Sequence, residues 1–79
     1  MRLDKYLKVS RIIKRRTVAN EACDVSHVIV NGKPAKASYQ VKLNDIIEVT
    51  FGSRTLRVRV TAILESTKKA DASEMYEVI

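Results

Sequence analysis

The hydrophobic period of this chain changes at His27, and the change limits what its two parts can become. Before it, apolar residues recur at helical spacing; after it, they run in β-branched clusters or alternate with polar residues. A helical front feeding a stranded remainder predicts an α+β fold, with two short N-terminal helices packed on a small, mainly antiparallel β-sheet.

With residues 3–13 set at helical pitch, Leu3, Tyr6, Leu7 and Ile13 fall within an arc of about 120°, and Lys5, Lys8, Arg11 and Arg15 cluster opposite them. Ile12 projects with the bases, so the helix is expected to end or bend between Ser10 and Lys14. Asp4 lies in the first turn, where a negative charge suits the helix dipole, and is placed to pair with Lys8. Thr17 is the expected N-cap of a second helix over residues 17–25, with Val18, Ala19, Ala22 and Val25 facing inward. Lys14, Arg15 and Arg16 form a basic elbow between the two helices.

Val28, Ile29 and Val30 then read as a strand that stops at Asn31-Gly32, a strong turn dipeptide. Residues 33–40 read as a polar loop carrying Lys33 and Lys36, and Asn44-Asp45 marks another turn. Residues 46–51 and 55–63 are expected strands around Gly52-Ser53-Arg54. In the second, Leu56, Val58 and Val60 alternate with Arg57, Arg59 and Thr61, which gives one buried and one basic face. Residues 65–73 read as a loop or marginal helix, and residues 75–79 as a final strand or a segment packed on the sheet.

Charge narrows the function. Seven of the 15 Lys and Arg residues lie within the first sixteen positions, against the single acid Asp4, and the whole chain of 79 residues carries a formal +6. Such a surface attracts polyanions, and phosphate is the expected target. Four of the six residues Arg2, Lys5, Lys8, Arg11, Arg15 and Arg16 are Arg, whose planar fork suits bidentate phosphate contacts and stacking on unpaired bases. Lys42, Lys68 and Lys69 read as solvated surface charges. Phe51 and the tyrosines at 6, 39 and 76 form no recurring pair of stacking platforms, so recognition of a folded RNA by shape and backbone is favoured over single-strand reading.

Other chemistries find little support. One cysteine, Cys23, excludes an internal disulfide and a multi-cysteine zinc site, and with one histidine, His27, no metal site or cofactor is expected. Cys23 reads as a buried thiol and His27 as a strand-end imidazole. The pairs Asp45 with Glu48 and Glu74 with Glu77 read as surface charges and not as acid–base catalysts. No phosphate-binding glycine loop occurs in a chain with two glycines. There is no apolar run of about 18 residues, no signal-peptide core and no Trp, so no membrane association is expected and the expected location is the cytoplasm.

Four stretches together carry a resemblance. Residues Arg2 to Lys8, then Arg16-Thr17-x-Ala19, Val28-x-Val30-Asn31-Gly32 and Val41-x-x-x-Asp45-x-Ile47 resemble the small RNA-binding domain first described in ribosomal protein S-four, the αL motif, over about residues 1–51. The length, the elbow at Lys14-x-Arg16 and the tail Ala72-Ser73-Glu74-Met75-Tyr76 are similar to free-standing members related to the fifteen-kilodalton heat-shock protein, above all the bacterial ribosome quality-control members. The resemblance implies an αL-type RNA-binding domain over residues 1–64, with residues 65–79 as a C-terminal extension packed on or extending it. It implies no enzyme, but a factor that binds rRNA of obstructed large ribosomal subunits still carrying peptidyl-tRNA. It further implies support of C-terminal alanine tailing beside an alanyl-tRNA-recruiting quality-control protein, with the chain acting as a monomer. The alternative within the family is recycling of blocked subunits without a tailing role.

Carried over by position, Arg2, Lys5, Arg16, Asn31 and Gly32 match the family's RNA-facing positions, and Leu3, Leu7, Ala19 and Val28 match its core. The expected RNA-binding set is therefore Arg2, Lys5, Lys8, Arg11, Lys14, Arg15, Arg16, Asn31, Lys33 and Lys36. Two positions depart from the family, which usually has Gly where this chain has Ser26 and Asn44. Asn tolerates a left-handed backbone; Ser is the less comfortable substitute. Rival readings are an RNA-modifying enzyme, whose catalytic domain is missing from the sequence, and a scaffold for an acidic protein partner, which nuclease treatment would distinguish.

Overall fold

The computed structural model describes residues 1–65 and 69–79. Helices α1 (Leu3–Val9) and α2 (Arg16–Asp24) lead into strands β1 (Val28–Val30), β2 (Lys33–Pro34), β3 (Ile46–Phe51) and β4 (Arg54–Val60). The short α3 (Lys69–Ala72) and β5 (Tyr76–Val78) follow. The strands form one antiparallel sheet in the order β2-β1-β3-β4-β5, the expected α+β architecture.

Register explains the core. Val28 lies opposite Val49 and Val30 opposite Ile47; Ile47 in turn faces Val58. These residues share the face against which Leu3, Tyr6, Leu7, Ala19 and Cys23 are buried. Removing each large aliphatic side chain from water contributes roughly 1.5–3 kcal/mol, and this helix-on-sheet burial is what a domain of such size relies on. The Tyr6 hydroxyl donates a 2.7 Å hydrogen bond to the Met75 carbonyl, fastening α1 to the start of β5.

Helix α1 stops at Val9 because Arg11 takes φ 63°, a left-handed residue that ends the helical path, within the expected window. Helix α2 is capped two residues earlier than expected. Arg15 is its N-cap, without a side-chain cap, and Thr17 lies inside the first turn because Arg16 is drawn into an ion pair with Asp4. Val18 and Val25, expected inward, are exposed, while Ala19 and Cys23 are the buried positions of α2. Ala19, Ala22 and Cys23 lie at i, i+3 and i+4 on one stripe facing the core, and Val18 and the C-cap Val25 fall outside it.

The Asn31-Gly32 turn has φ 52° and 81°, as a two-residue hairpin requires. Its return limb, Lys33–Pro34, is an edge strand and not loop; at an edge the missing Pro34 N–H is tolerated. Strand β4 begins at Arg54 and ends at Val60, shorter at its far end than expected. The other face of the hairpin is less basic than its sequence, because Arg57 pairs with Glu48 at 3.4 Å and Arg59 with Glu77. Ser26 and Asn44 both adopt left-handed φ, 61° and 71°, so the glycine-like conformations persist without glycine.

Candidate nucleic-acid interface

The site is organised by an acid. Asp4 is 3% exposed, and its carboxylate accepts from Arg2 Nε at 3.2 Å and Arg16 Nε at 3.3 Å. It also accepts from Asn20 Nδ2 at 3.4 Å and the Lys5 backbone N–H at 2.9 Å. The expected pairing with Lys8 does not form, because Asp4 turns inward toward the junction of α1 and α2. Burial works against the charged carboxylate, but hydrogen bonds from Arg16, Asn20 and the Lys5 N–H, together with the Arg16 charge, outweigh it. They hold the carboxyl below its ordinary range.

One buried negative charge thus fixes two guanidiniums whose side chains remain 46% and 48% exposed. Each keeps N–H donors for an outside acceptor, in an orientation already set. Lys8, Arg11, Lys14 and Arg15 are exposed and have no carboxylate partner among the described residues. Lys5 differs: its ammonium meets Glu65 Oε2 at 2.7 Å, so a phosphate would have to displace that carboxylate.

The loop following β2 is drawn to the same side. Leu3 N–H donates to the Tyr39 carbonyl at 2.8 Å and Asp4 N–H to the Ala37 carbonyl at 3.2 Å. Arg2 and Lys36 therefore flank one groove, and Lys33 lies beyond Lys36 on the neighbouring one. Asn31 has a different local task. Its amide donates to Asp45 Oδ1 at 3.0 Å and accepts from the Ile46 N–H at 2.9 Å. Asp45 also accepts from the Tyr39 hydroxyl at 2.8 Å and the Lys42 N–H at 2.9 Å, and is 6% exposed, not the surface charge its sequence position suggests. Burial opposes its charge, yet these donors and nearby Lys42 keep its carboxyl below the ordinary range.

Asp4 and Asn20 were missed as site-forming residues in the sequence. The signal was present for Asp4, the single acid in a run of seven bases, but its partners lie twelve and sixteen residues away and only folding brings them near. Among the described residues no group of three or more His, Cys, Asp and Glu side chains is arranged to hold a metal ion. No helix among them is long and apolar enough to cross a membrane.

The chain is similar to known proteins over most of its length. The S4 domain family matches residues 1–47. The RQC P-site tRNA stabilizing factor of Streptococcus pneumoniae is 58% identical over 79 residues, which are 100% of this chain and 90% of that protein. Its counterpart in Bacillus subtilis is 48% identical over 79 residues, covering 100% of this chain and 92% of that one. Heat shock protein 15 of Escherichia coli is 36% identical over 78 residues, covering 98% of this chain and 59% of its own. Among solved structures, the trimeric structure of Vibrio cholerae heat shock protein 15 superposes with a TM-score of 0.93 at 26% identity, covering 100% of this chain and 81% of that one. From the family match over residues 1–47 and the likeness that spans all 79 residues, the chain belongs to the S4-domain family, in the branch of RQC P-site tRNA stabilizing factors related to heat shock protein 15.

Proposed function

We propose that this protein is a non-enzymatic, cytoplasmic RNA-binding factor of ribosome-associated quality control. It binds rRNA of large subunits that still carry peptidyl-tRNA and holds the P-site tRNA in place. In that role it supports C-terminal alanine tailing of the stalled chain by a protein that recruits alanyl-tRNA. The observation that carries this reading is the set of exposed bases Arg2, Lys8, Arg11, Lys14, Arg15 and Arg16 in the helical front, two of whose guanidiniums are pre-set by Asp4. The names of the full-length relatives supply the ribosomal context. Phosphate contacts would set affinity and register, with Arg2 and Arg16 giving directed forks and the elbow giving general attraction. In this role the protein acts as a monomer.

Subunit recycling without tailing is the second reading, favoured by the likeness to heat shock protein 15. The test is to purify tagged protein at low salt, resolve the extract on a sucrose gradient and sequence crosslinked RNA. Sedimentation with large subunits holding peptidyl-tRNA, with crosslinks on their rRNA and on tRNA, is expected. Protein at the top of the gradient without RNA would overturn the proposal and point to an acidic protein partner. Loss of alanine tails on deletion separates tailing from recycling.

A further inference from the structure

Behind Arg2, between α2 and the loop that follows β2, runs a groove of about 560 Å³. Its composition differs from a plain phosphate cleft. Arg2 and Lys36 supply cations, but Asn20 and Asp24 bring acceptors, and Cys23 and Ala37, nearly buried, give it a small apolar floor. A groove meant only for phosphate would gain nothing from the exposed carboxylate of Asp24. That carboxylate has no ion-pair partner among the described residues. It is also the last residue of α2, where the helix dipole disfavours a negative charge. A ligand bringing N–H donors would offset both.

Resting on the RNA-binding reading above, we propose that this groove takes one unpaired nucleotide of the bound RNA and favours guanine. A carboxylate accepts two hydrogen bonds side by side. On its Watson–Crick edge guanine presents an N1–H and an N2 amino donor next to each other, which match that fork. Adenine and cytosine each set one amino donor beside a ring-nitrogen acceptor, and uracil flanks its single N–H with two carbonyls, so each turns a lone pair toward Asp24. Asn20 adds to the match: its Nδ2 is committed to Asp4 at 3.4 Å, which leaves the amide oxygen as the atom available to a donor. Arg2 and Lys36 would take the flanking phosphates while the base lies on the apolar floor and is read along its Watson–Crick edge, an edge proteins use on unpaired RNA bases.

The test uses the full chain and three RNA hairpins whose uridine loop carries one G, one A or one inosine, which lacks the N2 amino group. Fluorescence anisotropy is read at fixed salt with the wild type and Asp24→Asn. The wild type should prefer G over A by about ten-fold, with inosine between them. Asp24→Asn, which removes the carboxylate fork, should weaken the G hairpin toward the level of the A hairpin and so lose the preference. The readout is the ratio between hairpins, which a structural or general electrostatic effect of the substitution would leave unchanged. Equal binding of G and A by the wild type, or an unchanged ratio in Asp24→Asn, would overturn the proposal while leaving the ribosomal reading intact. So would failure of every hairpin to bind when large subunits still do. Failure to bind hairpins and subunits alike would instead overturn the RNA-binding reading beneath it.

Discussion

Arg16 Nε donates to Asp4 Oδ2 at 3.3 Å, joining the first turn of α2 to the first turn of α1. The pair couples packing of the two helices to the direction of a guanidinium on the cationic face. Arg16→Ala leaves Asp4 with Arg2, Asn20 and the Lys5 N–H, so folding should weaken by only about 0.5–1 kcal/mol, the range for a half-exposed pair. RNA affinity should fall by about ten-fold, the cost of one charge-assisted hydrogen bond. Thermal melts and filter binding on the same preparation check this; a melting temperature that collapsed in step with binding would reassign Arg16 to structure. Arg16→Lys should recover less than the full affinity, since an ammonium lacks the fork.

Acid should unfold the protein through Asp4 and Asp45. Both carboxyls are held below their ordinary range in the fold, so between the folded and unfolded values the unfolded chain binds more protons. Their contribution is fully present above about pH 5 and falls away as pH drops through the unfolded value near 3.9 toward the folded ones. Urea midpoints measured from pH 7 to pH 2 should show that decline. Asp4→Asn and Asp45→Asn should each lower stability at pH 7 by about 1–2 kcal/mol and flatten the acid limb.

Ser26 holds φ 61° at the turn into β1, where a side chain is strained. Ser26→Gly should relieve that strain and, after the entropy cost of glycine in the unfolded chain, stabilise by about 0.5–1 kcal/mol. For a domain of this size that raises the melting temperature by roughly 2–8 °C, which calorimetry would detect. Asn44→Gly should change less, since Asn tolerates the same conformation.

Cys23 is buried at the inner face of α2, and desolvation, followed by the charges of Asp4 and Asp24, pushes its thiol up to about 11. At pH 8 almost none of it is thiolate, so a disulfide reagent should react far more slowly than with free cysteine. Full reactivity should return in denaturant. Rapid labelling of the native protein would show that the groove floor opens.

Salt should weaken RNA binding steeply. With three to six phosphate contacts, the log–log slope should be roughly −2 to −5, at about 0.7–0.9 per contact. Replacing Lys14 and Arg15 together with Gln should make that slope shallower by about 1.4 to 1.8, because two phosphate contacts are lost. An unchanged slope would remove the elbow from the interface.

The elements were legible where a local rule operates alone. The stripe of Leu3, Tyr6 and Leu7, the β-branched run of Val28 to Val30 and the alternation of Leu56, Val58 and Val60 each announce a buried face. Asn31-Gly32 announces its turn. The exposed elbow at Lys14 and Arg15 was equally visible, since unpaired charge has to face water wherever the chain goes. Local rules failed where a distant partner competed. Thr17 is a good N-cap by type, but Arg16 is held by Asp4 and the helix begins before Thr17. Asp4 is well spaced for Lys8, yet a buried pocket of donors offers more than one solvated ammonium.

By itself, then, the sequence determined the order of helices and strands apart from the edge strand Lys33–Pro34, the core-facing positions of most of them and the concentration of positive charge at one end. These follow from periodicity and composition, which are properties of neighbours along the chain. Only the tertiary structure decided which charges remain available. Folding neutralises Lys5 with Glu65, sixty residues away, and Arg57 and Arg59 with acids on adjacent strands. It also turns Asp4 from a surface partner of Lys8 into the buried anchor of Arg2 and Arg16. The reason is physical: an ion pair depends on a few ångströms of separation and on exclusion of water, and both are set by packing between segments remote in sequence.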